Sequence, residues 1–470
     1  MFGNSNDKST KESQVEKFYL DHFLTEGGRS KTNSFLSFES LCMLINLEFQ
    51  KEWEDEKENI QRMLIIQKNA IIGYEKEVNF FKSKIKSIIK KRHAEDTSYP
   101  TWYKSLEDAV YQENWGLAGI AEWFSYGYEN SSSCKVIGDR IYFQEEGKMV
   151  LKPQNISQIR REQLIRAFLL LMPEERLDKD FHEIYTLDGT RITIFRGSAV
   201  KAGQDVIVFR RYIIPTYTFE EQARRKTIPS ESIPLFKEMV KLGFNIAVTG
   251  AMKSAKTSFL ATWQSYEDPL LEGVMLETDP EISLHKLMPT APIVQILAKE
   301  EKLKSVTSHL LRSDADYLIM AEARDGIALD TVLRIASKGT RRLKITFHER
   351  NPLDFPYDVA AEIVLSLGGD MELIAKRVAG SFDYIFHFIQ LKDKSQKRLK
   401  GIYEITYIKD TAKIKITPIC LYQYNKDSWK WLYELSEDKE TAAKEEDEES
   451  FYRYKSLLMN LAGYEKSKEV

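Results

Sequence analysis

Twenty residues, FNIAVTGAMKSAKTSFLATW from Phe244 to Trp263, restrict the fold more than any other part of the chain. The apolar run IAVTG reads as a buried strand and KTSFLATW as a helix. Between them the pattern G-x-x-x-x-G-K-[ST] is met at Gly250, Lys256 and Thr257, with Ala255 in place of the second glycine. Strand, tight turn and helix N-terminus are the parts from which a phosphate cradle is built, because successive backbone N–H groups then face one point. In that reading Gly250, Ala251, Met252, Lys253, Ser254, Ala255, Lys256, Thr257 and Ser258 form the binding loop. Lys256 reaches the β- and γ-phosphates of ATP, and the Thr257 hydroxyl sits on Mg²⁺. The loose pattern alone arises by chance; the strand and helix around it give it weight.

Further apolar runs end in polar residues. GVMLETDPEISL carries Glu277, Asp279 and Glu281, YLIMAEARDG runs into Glu322, and LKITFHERNP places His348 at the end of a fourth run. Open α/β sheets hold ligands at the C-terminal ends of their parallel strands, where carboxylates can hold Mg²⁺ or align an attacking water. Asp279 and Glu281 read equally well as loop acids. A lone histidine is commonly structural, and His348 becomes a γ-phosphate sensor only in the company of the other strands. Short apolar strands alternating with helices from Phe244 to about Ile408 predict a parallel sheet with crossover helices.

Length and composition set the frame. A chain of 470 residues, 43% hydrophobic and 11% aromatic, supports two or three domains with substantial cores. A net charge of -3 gives no global pull toward nucleic acid or anionic lipid. Cys42, Cys134 and Cys420 lie far apart, which argues against a disulfide framework or a zinc site and for a reducing compartment. The longest apolar run, AFLLLM, is far short of the roughly 20 residues that span a bilayer, and the polar N-terminus has no signal-peptide core. The expectation is a cytoplasmic protein that meets a membrane through partners.

Five segments are expected: a helical extension over 1–97, an α/β domain over 98–215, a helical linker over 216–243, an α/β nucleotide domain over 244–434, and an acidic tail with a short helix over 435–470. In the α/β domain, DRIYFQEEGKMVL and HEIYTLDGTRITIFRG predict hairpins turning at Gly147 and Asp188-Gly189. In the extension, Ile60, Leu64, Ile71, Tyr74, Val78, Phe81, Ile85 and Ile88 follow a heptad seam, with Gln67 at its missing step and Gly73 weakening it. That seam suits either a helix packed on its own domain or a coiled coil with a partner. Lys82 to Arg92 holds six basic residues and no acid, a solvated face or a patch for lipid or nucleic acid. Glu437 to Glu449 holds eight carboxylates against two lysines and reads as a solvated linker.

Taken in order, the phosphate loop, the acidic ETDPE box, the strand ending in Glu322 before RDG and the strand ending in FHERNP resemble the ATPases of type II and type IV secretion, type IV pilus and tight-adherence pilus systems. LDGTRITIFRG, IVFRRY and RVAGSFDYIFHF are similar to further segments of that family, so the resemblance covers about Lys135 to Gln390. It implies a ring-forming, usually hexameric, cytoplasmic ATPase with a RecA-like domain and nucleotide bound against the preceding domain. It implies a membrane-embedded secretion, pilus or conjugation partner, while the near-neutral charge and lack of a basic, aromatic-interleaved patch beyond Lys82–Arg92 argue against direct contact with nucleic acid. By position, Glu277 matches the glutamate proposed to activate water, Glu322 the catalytic and metal-side glutamate, and His348 the histidine box. Arg210 or Arg211 matches an arginine closing over the phosphates, and Arg312 an arginine upstream of the Glu322 strand.

The chain departs from the family at Ala255, at Ala321 where the family has glycine, at Thr278 where it has aspartate, and in SKGTRR, which lacks the histidine of a TGH turn. Alanine is tolerated at 255 wherever φ is negative. Together the departures bear on hydrolysis more than on binding. They leave open a nucleotide-binding structural subunit as a second reading and, less well supported by charge, a nucleic-acid motor.

Overall fold

The computed structural model describes residues 37–55, 65–66, 68–70, 73–125, 127–169, 180–186, 190–211, 216–278, 281–298, 300–310, 315–323 and 325–464. Two compact units follow each other along the chain, Met1–Ala118 and Gly119–Val470.

The first unit packs helices Phe38–Asp55, Glu75–Lys91 and Leu106–Asn114. Leu41, Ile45 and Phe49 of the first meet Phe81, Ile85 and Ile88 of the second and Val110 of the third, with Trp115 closing the core. The Phe49 and Phe81 rings stack with centroids 5.5 Å apart. Because the third helix belongs to this core, the helical unit runs through Ala118, and the expected border at 97 is moved. The heptad seam is not one helix. Gly73 takes φ +98, a turn follows, and helix restarts at Glu75. Phe81, Ile85 and Ile88 spend their apolar surface inside their own unit, which favours the packed-helix reading. Ile60, Leu64, Gln67 and Ile71 lie outside the described residues. Three residues of the basic run pair with acids of neighbouring helices: Lys82 lies 2.7 Å from Asp108, and Lys84 and Arg92 pair with Glu52 and Glu48.

The second unit holds two sheets. The first is antiparallel, in the order β3-β2-β1-β6-β5-β4. Its strands are β1 (Ser133–Ile137), β2 (Arg140–Glu145), β3 (Lys148–Asn155), β4 (Phe181–Tyr185), β5 (Arg191–Phe195) and β6 (Val206–Arg210). Both predicted hairpins pair as expected, β2 with β3 and β4 with β5, although Asp188 and Gly189 themselves lie outside the described residues. Helix Gln158–Leu169 covers one face, and its Phe168 meets Phe209 edge-on at 5.8 Å.

The second sheet runs β15-β14-β13-β12-β7-β11-β10-β8-β9. The predicted strands are present as β7 (Ile246–Gly250), β8 (Gly273–Glu277), β10 (Tyr317–Ala321) and β11 (Lys344–His348). With β9 (Ile293–Leu297) and β12 (Tyr384–Gln390) they form the parallel part of the sheet. An antiparallel wing of β13 (Lys397–Ile408), β14 (Lys413–Gln423) and β15 (Ser428–Trp431) extends it. The fold is mixed α/β, with a parallel-sheet nucleotide-type domain behind a smaller α/β domain. β7, β8 and β10 are buried along their whole length, which is why they read as unbroken apolar runs.

The acidic stretch is not a linker. It folds as helix Glu437–Glu446, and Asp447 then caps helix Glu448–Leu461 by accepting from Ser450 N at 2.9 Å. Phe451, Tyr454 and Leu458 are fully buried in the nucleotide-domain core. The carboxylates occupy the outer face while these apolar residues, spaced three and four apart, face in. Among the described residues no helix is long and apolar enough to cross a membrane.

Candidate functional site

The loop predicted to cradle phosphate joins β7 to helix Lys256–Gln264. Gly250 is required by space as well as by conformation. It takes φ +138, and a Cβ there would stand 2.1 Å from the Phe388 carbonyl oxygen. Ala255 takes φ +81 and ψ 17, the left-handed region. The condition for tolerating alanine, a negative φ, is therefore not met, and the residue carries about 1–2 kcal/mol of backbone strain. The helix behind it holds the loop in place. Phe259 and Trp263 pack among Phe236, Phe386 and Phe388, with centroid separations of 4.8 to 6.0 Å. Each such pair adds about 0.5–1.5 kcal/mol beyond burial, so together they outweigh one strained alanine.

Lys256 is 6% exposed. Its Nζ donates to the Gly250 and Ala251 carbonyls, both at 2.9 Å, and lies 3.4 Å from His348 Nδ1. His348 Nε2 lies 3.3 Å from Glu322 Oε1. The tautomer with the proton on Nε2 satisfies both contacts, giving a continuous line Lys256–His348–Glu322 at the ends of β10 and β11. Glu322 takes φ +78, and its N–H donates to Thr346 Oγ1 at 2.9 Å, so the strained residue is pinned from the next strand.

Of the acidic box, a different member reaches the loop from the one expected. Glu277 is 3% exposed, and its Oε1 accepts from the N–H groups of Glu281 and Ile282, both at 3.0 Å. It shapes the turn after β8 and does not line the cavity. Glu281, presented by that turn, accepts from Thr257 Oγ1 at 3.0 Å and lies 3.7 Å from Arg191 Nη1. Asp279 lies outside the described residues, as does Arg312.

Arg210 and Arg211 also separate. Arg211 donates to the carbonyls of Ser131 and Trp123 at 3.0 Å and to that of Tyr128, and stacks 4.0 Å from the Trp123 ring centroid. These contacts tie its guanidinium to its own domain, while the residue also lines the cavity. Arg210, at the end of β6, lines the cavity without such ties among the described residues.

These groups surround one cavity of about 520 Å³, within the range of small-molecule sites. Met252 to Ser258 line one side, while Arg191 and Arg210 approach from the first sheet and Arg225 and Lys397 from elsewhere. With Lys253, Lys256 and Arg211 this makes seven cationic side chains against two carboxylates, Glu281 and Glu322. The crowding is felt by the groups themselves. Burial first, then Arg210, Lys135 and Lys394, pull the Lys253 ammonium below its usual range. Burial, Lys253 and Arg225 do the same to Lys397, against the opposing pull of Asp393. A polyanion entering the cavity would relieve that repulsion.

Arg191, Arg225, Lys397 and Gln222 were not singled out by the sequence reading. For Arg191 a signal existed: Ile192 and Ile194 point inward on β5, so strand alternation turns Arg191 to the other face. The other three come from the linker and the β12–β13 turn, which carry no phosphate-site pattern.

No family model and no curated protein matches the chain. Several solved structures are similar to it. The VirB11 ATPase of the Brucella suis type IV secretion system, in complex with sulphate, is 16% identical, with 61% of this chain and 92% of that one covered at a TM-score of 0.33. The pilus retraction motor PilT with bound ADP is 15% identical over 73% and 90%, at 0.44. The Legionella pneumophila ATPase DotB is 14% identical over 70% and 84%, at 0.42. By name these neighbours are an ATPase of a type IV secretion system, a pilus retraction motor and a further ATPase.

Proposed function

We propose that this protein is a secretion-type ATPase that turns ATP hydrolysis into movement between its two α/β domains. The observation behind the proposal is that the phosphate loop, the Thr257–Glu281 pair, the His348–Glu322 pair and arginines of the preceding domain line one cavity. The triphosphate lies along Gly250 to Ser258, with Lys256 countering its β- and γ-phosphates. Mg²⁺ would supply charge neutralisation at the phosphates; Thr257 and Glu281 would hold it, with Glu322 in the same cavity. The donor set suits that ion. Thr257 Oγ1 and a Glu281 carboxylate oxygen, 3.0 Å apart, are both oxygen donors, and Mg²⁺ in phosphate sites takes only one or two protein ligands, the rest being phosphate and water. Glu322, oriented by His348, aligns the attacking water. Arg210 and Arg191 balance charge developing on the transferred phosphoryl group, a role that can amount to about 10³-fold. Glu277 serves the reaction indirectly by fixing Glu281.

The chain acts in a homo-oligomeric ring, a hexamer by the family's habit, at the inner face of a membrane. It drives pilus assembly, protein secretion or conjugative transfer through an integral-membrane platform. Steady-state Mg²⁺-ATPase activity across protein concentration, with Lys256→Ala as the blank, tests this. Turnover should rise with concentration, and the variant should lose ATP binding by about 10²-fold or more; unchanged affinity would remove the loop from nucleotide binding.

A second reading has its own observation. The left-handed Ala255 strains the loop, which suits a subunit that holds ATP to lock a ring without turning it over. ATP binding without any turnover sensitive to Lys256→Ala, even with membranes added, would favour it.

A further inference from the structure

Gln222, on linker helix Phe219–Arg224, lines the cavity and is 1% exposed. Its Nε2 donates to Thr262 Oγ1 at 3.1 Å, and Thr262 Oγ1 donates to the Ser258 carbonyl at 2.8 Å. A hydroxyl has one proton. With that proton committed to Ser258, Thr262 can only accept from Gln222, which fixes the amide with its nitrogen toward the loop helix. The opposite end, Oε1, is buried and meets no hydrogen-bond donor among the described residues. Buried carbonyl oxygens are rarely left so.

The position of this oxygen follows from the loop. Lys256 and Thr257 define the phosphate end of the cavity, and Ser258, also in its lining, continues it along the helix. Thr262 stands one helical turn beyond Ser258, and Gln222 faces it from the linker. For a nucleoside triphosphate seated on the loop, the ribose and base are taken to extend in this direction.

We propose that Gln222 is the base-reading residue: its fixed Oε1 accepts from the 6-amino group of adenine and disfavours purines with a 6-oxo group. A 6-oxo purine would set one carbonyl oxygen against another, both stripped of water. An unbuffered mismatch of this kind discriminates more strongly than a missing methylene, because it leaves buried polar groups unpaired. This proposal rests on the nucleotide reading above.

The test compares ATP with inosine triphosphate, which differs at the 6-position and its adjoining ring proton, by competition binding on the full chain. Wild type should prefer ATP by about tenfold or more, and Gln222→Met should bring the two affinities together, mainly by weakening ATP. Thr262→Val serves as a second variant. It frees the amide to rotate and present either end, so the preference should shrink while ATP still binds. Equal binding of both nucleotides by wild type overturns the proposal and leaves the phosphate site standing, provided Lys256→Ala removes both. A preference that survives in both variants also overturns it. If neither nucleotide binds wild type, the nucleotide reading falls first and this one with it.

Discussion

Two sides of the cavity are made by different means. The loop side is built from backbone: a glycine forced by the Phe388 carbonyl, a left-handed alanine, and a lysine folded onto two carbonyls. The opposite side is built from side chains, and two glutamates four positions apart divide the labour. Glu277 spends its carboxylate on two backbone N–H groups, while Glu281 turns to Thr257. A backbone site is set by the few residue types that can adopt it, so its sequence pattern is strict. A carboxylate site needs only an acid within reach, and the chain supplies more than one.

The sharpest way to break this division is to neutralise each acid in turn. Glu281→Gln should lower turnover by about 10²–10³-fold and raise the Mg²⁺ requirement, with little change in melting temperature. Glu277→Gln keeps an acceptor oxygen and should stay within a few-fold of wild-type activity, whereas Glu277→Leu should cost about 1–3 kcal/mol of stability by stranding two N–H groups. Equal loss of turnover in the two glutamine variants would mean that Glu277 reacts directly.

On the loop side, Ala255→Gly should stabilise the protein by about 1 kcal/mol, by removing the left-handed strain, and tighten nucleotide binding a few-fold. Thermal melting with and without ATP reads both. An unchanged melting temperature would mean that the loop relaxes at no energetic gain.

The smallest effect belongs to the residue after His348. Glu349 is held by the N–H groups of Arg350 and Asn351, yet burial, and then Asp358 on helix Phe355–Leu367, push its carboxyl up from 4.5 to about 7. The folded state then binds more protons than the unfolded one between pH 4.5 and 7, so its contribution to stability falls as pH rises through that window. Glu349→Gln should flatten this slope. A melting temperature as steep with pH in the variant would assign the slope to another group.

What the sequence disclosed follows the same division. β7, β8 and β10 were legible because burial on both faces leaves nearly unbroken apolar runs, and the phosphate loop because few residues fit it. β9 was missed: Ile293 to Leu297 sits at the sheet edge, half exposed, with Gln295 breaking the run. The choice between Glu277 and Glu281 was not legible, since it depends on which carboxylate the turn after β8 consumes. The Arg210–Arg211 pair posed the same difficulty, because the sequence does not say which guanidinium the carbonyls of its own domain engage. The heptad pattern left two readings open, and Gly73, with φ +98, interrupts it before the helix that packs in its own unit. The acidic stretch misled because its net charge hid helix Glu437–Glu446, whereas the terminal helix around Phe451–Leu461, the one that buries Phe451, Tyr454 and Leu458, was expected.

Those three buried side chains also govern when the nucleotide domain can exist at all. Tyr454 Oη meets Tyr384 Oη at 2.8 Å, and Arg453 reaches Glu238, 215 residues earlier. On a ribosome, the phosphate loop emerges long before the helix that completes the hydrophobic core beneath its sheet. During that interval the apolar surface awaiting Phe451 to Leu458 is open, so nascent chains should depend on chaperones until those residues clear the exit tunnel.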